Sequence, residues 1–306
     1  MNRKKTILRA AAITCFSVAA ICFSVAAAIR LNASPLPGKA KGLGEWLFAS
    51  HKITGSGHIE THNLGALQFN AVAASHAARV TVRDDGNDDV ILRADDNILE
   101  YIDLKVHNGV LTAGMKESNI RNFSNITFEV SVPGTGAIRS LKANSAAHIT
   151  VLPVLGGDKI ELKASGASSI TVSAEARECE AEASGASSIT LTARCTDIGL
   201  EASGASKLTV DAQVASCSMD VSGASKGRLT GAVGSMELAA AGASKIDALA
   251  CSSGNCTASA SGASKVSVSC SGELCAVASG ASKITYEGDC TLAKSEASGG
   301  SSIKRN

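Results

Sequence analysis

A tetrad of small residues built on Ser-Gly-Ala-Ser recurs eight times between Ser165 and Ser301, and its period limits the fold more than any other feature of the chain. The central glycines are Gly166, Gly185, Gly204, Gly223, Gly242, Gly262, Gly280 and Gly299, so successive spacings are 19, 19, 19, 19, 20, 18 and 19 residues. A short, steady period of this kind is the signature of a solenoid, in which no single turn buries an apolar face alone but stacked turns share one. Each glycine supplies the backbone freedom that a sharp corner needs.

Numbering from the central glycine separates inside from outside. Two residues before it stand Ala164, Ala183, Ala202, Val221, Ala240, Ala260, Ala278 and Ala297. Apolar pairs such as Ile170 with Val172, Ile189 with Leu191 and Val266 with Val268 lie four and six residues after it. This period-two alternation on both sides predicts at least two short strands per rung, meeting at the tetrad. The rung at Gly223 reads as slipped by one residue, with Leu229 inward only if Gly227 is bulged. The predicted fold is all-β: a single-domain parallel β-helix with rungs of about 19 residues, right-handed because parallel crossovers take that hand. Only 3% of the chain is aromatic, with Tyr286 alone after Phe128, so the core is thin and rich in alanine.

Four segments follow. Residues 1–33 combine basic Asn2-Arg3-Lys4-Lys5, a charge-free run from Ala10 to Ile29 and small Ala26-Ala27-Ala28, the pattern of a signal peptide or of an uncleaved N-terminal membrane anchor. Either one predicts export to the periplasm, cell envelope or cell surface. Residues 34–54, with Pro35 and Pro37, read as a linker. Residues 55–140 read as less regular β structure, including a hairpin in which the turn Asp84-Asp85-Gly86-Asn87-Asp88 joins Arg79–Arg83 to Asp89–Arg93. Residues 141–306 carry the regular rungs, beginning with a degenerate copy in which Ala143-Asn144-Ser145-Ala146-Ala147-His148-Ile149 aligns with Ala164-Ser165-Gly166-Ala167-Ser168-Ser169-Ile170.

Gly55-Ser56-Gly57-His58-Ile59, the stretch Ala94-Asp95-Asp96-Asn97-Ile98-Leu99-Glu100-Tyr101-Ile102, Asn108-Gly109-Val110-Leu111 and the later Ser-Gly-Ala turns together resemble the putative autotransporter adhesin, head GIN domain family. The resemblance covers about Gly55 to Lys304. It implies an exported β-helical protein of the bacterial envelope with an adhesive role and no catalytic residues. No segment reads as the C-terminal translocator barrel of a true autotransporter.

Three residues after the corner glycines stand Ser169, Ser188, Lys207, Lys226, Lys245, Lys265, Lys283 and Ser302. Five successive rungs thus place a lysine in one register, pointing outward, with a step of about 4.8 Å. The ordinary reading is a solvated strip that resists sideways aggregation. The functional reading is a docking strip for an acidic polysaccharide or another envelope polyanion. The net charge of +1 supplies no global field, so any electrostatic function is local.

Eight cysteines lie in the repeats, and the pairs Cys251 with Cys256 and Cys270 with Cys275 repeat one gap on adjacent rungs, which in an exported protein favours disulfides over free thiols. His58, Glu60 and His62 alternate along a strand at a spacing that suits a divalent metal, but an exposed polar strand face is the preferred explanation. No cofactor is expected. Nor is catalysis, because the rungs lack a nucleophile with a base and all six histidines precede the first Ser-Gly-Ala-Ser tetrad at Ser165. Glu182, Glu201 and Asp220, three before the glycine, read as partial compensation for the lysines. The final rung ends without an evident cap, which predicts end-to-end self-association.

Overall fold

The computed structural model describes residues 52–116, 122–134 and 136–306. The signal or anchor reading at 1–33 and most of the linker reading lie outside the described residues. The last three linker positions instead form a strand, Lys52–Thr54, paired in parallel with Asn122–Ser124. Ile53 packs against the core there, which a solvated linker would not do.

The chain is an all-β solenoid of about nine turns with rungs near 19 residues. Strands Ser169–Ala183, Ser188–Ala202, Lys207–Val221 and Lys226–Ala240 each run from one tetrad to the next and stack in parallel, Ile170 on Ile189 and Ile189 on Leu208. Within each, the inward alternation changes phase once. Val172, Ala174, Cys179 and Ala181 are buried, but Ala176 to Glu178 are not, so the strand turns a second corner there while its ladder continues. Two walls per rung result, and side chains as small as alanine fill the narrow space between them.

Gly227 is not bulged. Leu208 stacks on Gly227 and Val210 on Leu229 without a break in register. Gly227 simply occupies an inward position, where a Cβ would meet Met219 Sδ at 2.6 Å. The long methionine side chain fills the space that the glycine leaves, so Leu229 is buried with no irregularity.

The less regular segment stacks out of chain order. Strands Ala71–Ala74 and Arg79–Arg83 form a rung beneath Ser140–Ala143 and His148–Ala164, while Val110–Met115 and Phe128–Pro133 lie beneath that rung in turn. The predicted hairpin at residues 79–93 does not form. Asp89–Asp95 pairs antiparallel with Phe128–Pro133, whose other edge takes Arg79–Arg83, so a third strand separates the two expected partners. The intervening turn folds onto Arg83, whose guanidinium donates to Asp85 at 2.8 Å and to the carbonyl of Asp89. A true hairpin joins Ile102–His107 to Val110–Met115 through Asn108 and Gly109, both with positive φ, at +50° and +74°. Ile59–Ala66 adds antiparallel to Asp89–Asp95.

Asp95 ties this end together. Its buried carboxylate accepts from the backbone N–H of Gly57 at 2.7 Å and of Thr127 at 2.6 Å. Asn97 accepts from the N–H of Ser56 at 3.2 Å and donates to the carbonyl of Thr54 at 2.9 Å. The stretch Ala94 to Asn97 thus clamps the incoming chain onto the first turns.

Candidate functional site: the lysine edge

The corner that carries the lysines is built from the tetrad itself. Its glycines adopt φ near +70°, and a Cβ on Gly204 would approach the carbonyl oxygen of Gly185 on the rung below to 2.7 Å. In the degenerate rung Ser145 takes the same conformation at φ +60°. The last serine of the first seven tetrads turns inward and is buried, and Ser301 of the eighth is half-buried. Ser168, Ser187, Ser206, Ser244, Ser264 and Ser282 each donate to a carbonyl of the rung below, as Ser187 Oγ does to Ala164 at 2.9 Å. Reading the tetrad as small residues alone misses this buried hydroxyl column. Its signal in the sequence is the serine at the fourth place, which alanine would otherwise fill.

The residue after that serine must point outward, and here the five lysines stand. Lys207 stacks on Lys226, Lys226 on Lys245, Lys245 on Lys265 and Lys265 on Lys283, all five exposed. Ser188 precedes this column and Ser302 follows it. Four ladder steps span about 19 Å. Of these five lysines only Lys245 has an acidic partner among the described residues, Asp247 at 3.3 Å on its own strand.

The adjoining wall behaves differently. Lys159 meets Glu178 at 3.2 Å and Glu180 at 2.8 Å on the next rung, bonds that raise its pKa. Lys163 meets Glu182 at 2.8 Å, and Arg177 meets Asp158 at 2.7 Å. Glu182, Glu201 and Asp220 do stack in register, but Glu182 is taken by Lys163 and no ladder lysine reaches the three acids. The compensation expected of them therefore does not occur, because they project from the other side of the corner. Asp220, beside Glu237, has its pKa raised by burial and by that neighbouring charge. Further along this wall a shallow groove of about 540 Å³ is lined by Glu178, Asp197, Glu237 and Glu273 among others.

His58, Glu60 and His62 are not gathered into a metal site. His62 Nε2 and Glu60 Oε2 lie 3.0 Å apart, and among the described residues no three His, Cys, Asp or Glu side chains converge to hold an ion. Cys251 and Cys256 sit on either side of a corner at Gly254 and are both buried. Cys270 is buried after strand Lys265–Ser269, whereas Cys275 stacks on outward Thr257 and is half-buried.

Solved structures of other proteins share the fold, three of them as follows. One is a putative lipid binding protein from Parabacteroides distasonis, at 18% identity over 84% of this chain and 100% of the other, with a TM-score of 0.64. Another is a putative adhesin from the same species, at 15% identity over 84% and 100% with a TM-score of 0.62. The third is a putative adhesin from Parabacteroides merdae, at 14% identity over 83% and 99% with a TM-score of 0.59. No curated protein matches the chain. The model of the family described as "Putative auto-transporter adhesin, head GIN domain" matches residues 68–212 and 192–290, and the chain belongs to that family.

Proposed function

We propose that this protein is an exported, non-enzymatic β-solenoid of the bacterial cell envelope, acting as an adhesin whose lysine edge binds an acidic polysaccharide or a similar polyanion. One contrast carries the reading. On the wall around Lys159 and Lys163 the chain neutralises cations with acids one rung away. Along the edge it stacks five lysines on one another. Like charges at that spacing repel, and a polyanion laid along the column relieves the repulsion while making one contact per rung. The stiff ladder fixes the spacing of the charges before binding, so little ordering is needed on the protein side. The family supplies the adhesive class, and the basic, apolar start of the sequence supports export.

An array of neutral and acidic envelope glycans and other envelope polymers, probed with the full chain at low and high salt, tests this. Salt-sensitive capture confined to the acidic polymers is expected. Silence across the array would leave a structural rod.

A further inference from the structure

Two pairs of cysteines meet one rung apart at the same side of the coil, and neither is a pair that sequence spacing suggests. At the second corner of the rung Ser169–Ala183, Ala176 stacks under Cys195 and Cys179 stacks under Ile198, so Cys179 and Cys195 face each other diagonally across the bend. Cys179 belongs to the core at this corner, and Cys195 packs against that same core. Cys179 is fully buried, and Cys195 is half-buried and reachable from outside. The second pair repeats this near the other end. The Cys270 N–H donates to the Glu287 carbonyl at 3.0 Å, and a Cβ on Gly288 would strike the Cys270 carbonyl. The loop carrying half-buried Cys290 therefore lies on buried Cys270, and Cys290 packs against the core there. Cys275 faces outward beside Thr257 while its neighbour Cys256 faces inward on Leu274.

We propose that Cys179 with Cys195, and Cys270 with Cys290, are redox pairs that close into rung-to-rung disulfides on meeting an oxidising disulfide, such as oxidised glutathione or a thiol–disulfide oxidoreductase. In the first pair Cys195 gives up its proton and attacks one sulfur of the oxidant. The oxidant's S–S bond breaks, and its other half leaves as a thiolate that takes up that proton. Cys179 then attacks the Cys195 sulfur of the mixed disulfide and loses its proton to the second departing thiolate. Two protein thiols are thereby oxidised by two electrons, and one disulfide of the oxidant is reduced to two thiols. The neighbouring Cys179 thiol holds Cys195 below the usual thiol range and suits it to attack first, while the Cys195 thiol and burial hold Cys179 up. Cys217, Cys251 and Cys256, pushed by burial to about 12, 11 and 12, are the inert thiols of the set. The pairing rests on side-chain placement and is independent of the export reading.

Arg194 separates Cys179 from Cys195, and Lys283 separates Cys270 from Cys290, so trypsin places the partners on different peptides. The full chain, equilibrated with reduced and oxidised glutathione, alkylated and digested without reduction, is expected to yield residues 178–194 linked to 195–207 and residues 266–283 linked to 284–294. Cys275→Ser should leave the second link intact. Reduction should lower the Tm of the oxidised wild type by about 5–10 °C. It should leave the Tm of a Cys195→Ser, Cys290→Ser variant where that of the reduced wild type lies. Free alkylation of Cys179 and Cys195 under oxidising conditions, or their linkage to other cysteines, would overturn the proposal.

Discussion

The Ser187 hydroxyl donates to the carbonyl of Ala164 on the rung below at 2.9 Å, and that carbonyl also accepts from the backbone N–H of Ser184 at 2.9 Å. One oxygen thus closes the strand ladder and satisfies a buried hydroxyl at the place where the chain turns away. Repeated up the coil, the arrangement explains why the tetrad ends in serine.

Replacing Ser187 by alanine removes the donor but leaves the carbonyl bonded to Ser184, so the cost should be modest, about 1 kcal/mol. Valine at this position should cost more, because its second branch must fit beneath the next rung's serine. Thermal unfolding of the two variants checks both, with a fall in Tm of about 2–4 °C expected for alanine.

Two glycines on either side of Ala202, Gly199 in its strand and Gly204 in the tetrad after it, should respond oppositely to alanine. Gly204 has φ +75° and would place a Cβ 2.7 Å from the carbonyl of Gly185, whereas a Cβ on Gly199 meets only Glu180 Cγ at 3.9 Å. Gly204→Ala is expected to cost about 2 kcal/mol or more, from left-handed strain and the clash together. Gly199→Ala should be neutral or slightly stabilising, since it sits within a strand. Denaturant midpoints measured side by side settle the contrast.

Gly227 and Met219 should be coupled. Gly227→Val alone is overpacked against Met219 Sδ, and Met219→Ala alone leaves a cavity. The double variant should recover at least about 1 kcal/mol relative to the sum of the single changes. Strict additivity in a double-mutant cycle would show that the two side chains do not share the space.

Asp95→Asn should loosen the N-terminal end. The amide keeps one acceptor where the carboxylate offers two, and it turns an N–H₂ toward either Gly57 or Thr127. A loss of about 2–3 kcal/mol is expected, by the usual cost of an unmet charged hydrogen bond. Hydrogen exchange should quicken first at Gly57 and Thr127, while the rungs beyond Ser188 stay protected.

How far the sequence reveals the molecule depends on how local the signal is. The rungs are legible because every inward position recurs at a fixed distance from a glycine, as with Ala164 and Ala183, so stacking partners follow from counting. Gly227 misleads because its partner Met219 lies one corner away, and only their approach shows why a missing side chain is no slip. The segment before Ser140 misleads for a topological reason. Residues 84–88 have good turn chemistry, but Phe128–Pro133 arrives later in the chain and comes between the strands that the turn joins. At the candidate site the lysine register is evident from spacing, whereas its lack of acidic partners is visible only once the corner separates it from Glu182. The cysteine pairs are illegible for a similar reason: Cys179 and Cys195 come to one corner because the strand bends at Ala176 to Glu178, a phase change that no turn residue marks.

The most direct test is the affinity of the full chain for a soluble acidic polysaccharide across a series of salt concentrations, measured beside a variant in which Lys226, Lys245 and Lys265 are all serine. Loss of most of the affinity, together with a clearly shallower salt dependence and an unchanged Tm, is the result expected of a lysine edge that binds polyanions. Equal affinity and equal salt dependence in the two proteins would contradict it.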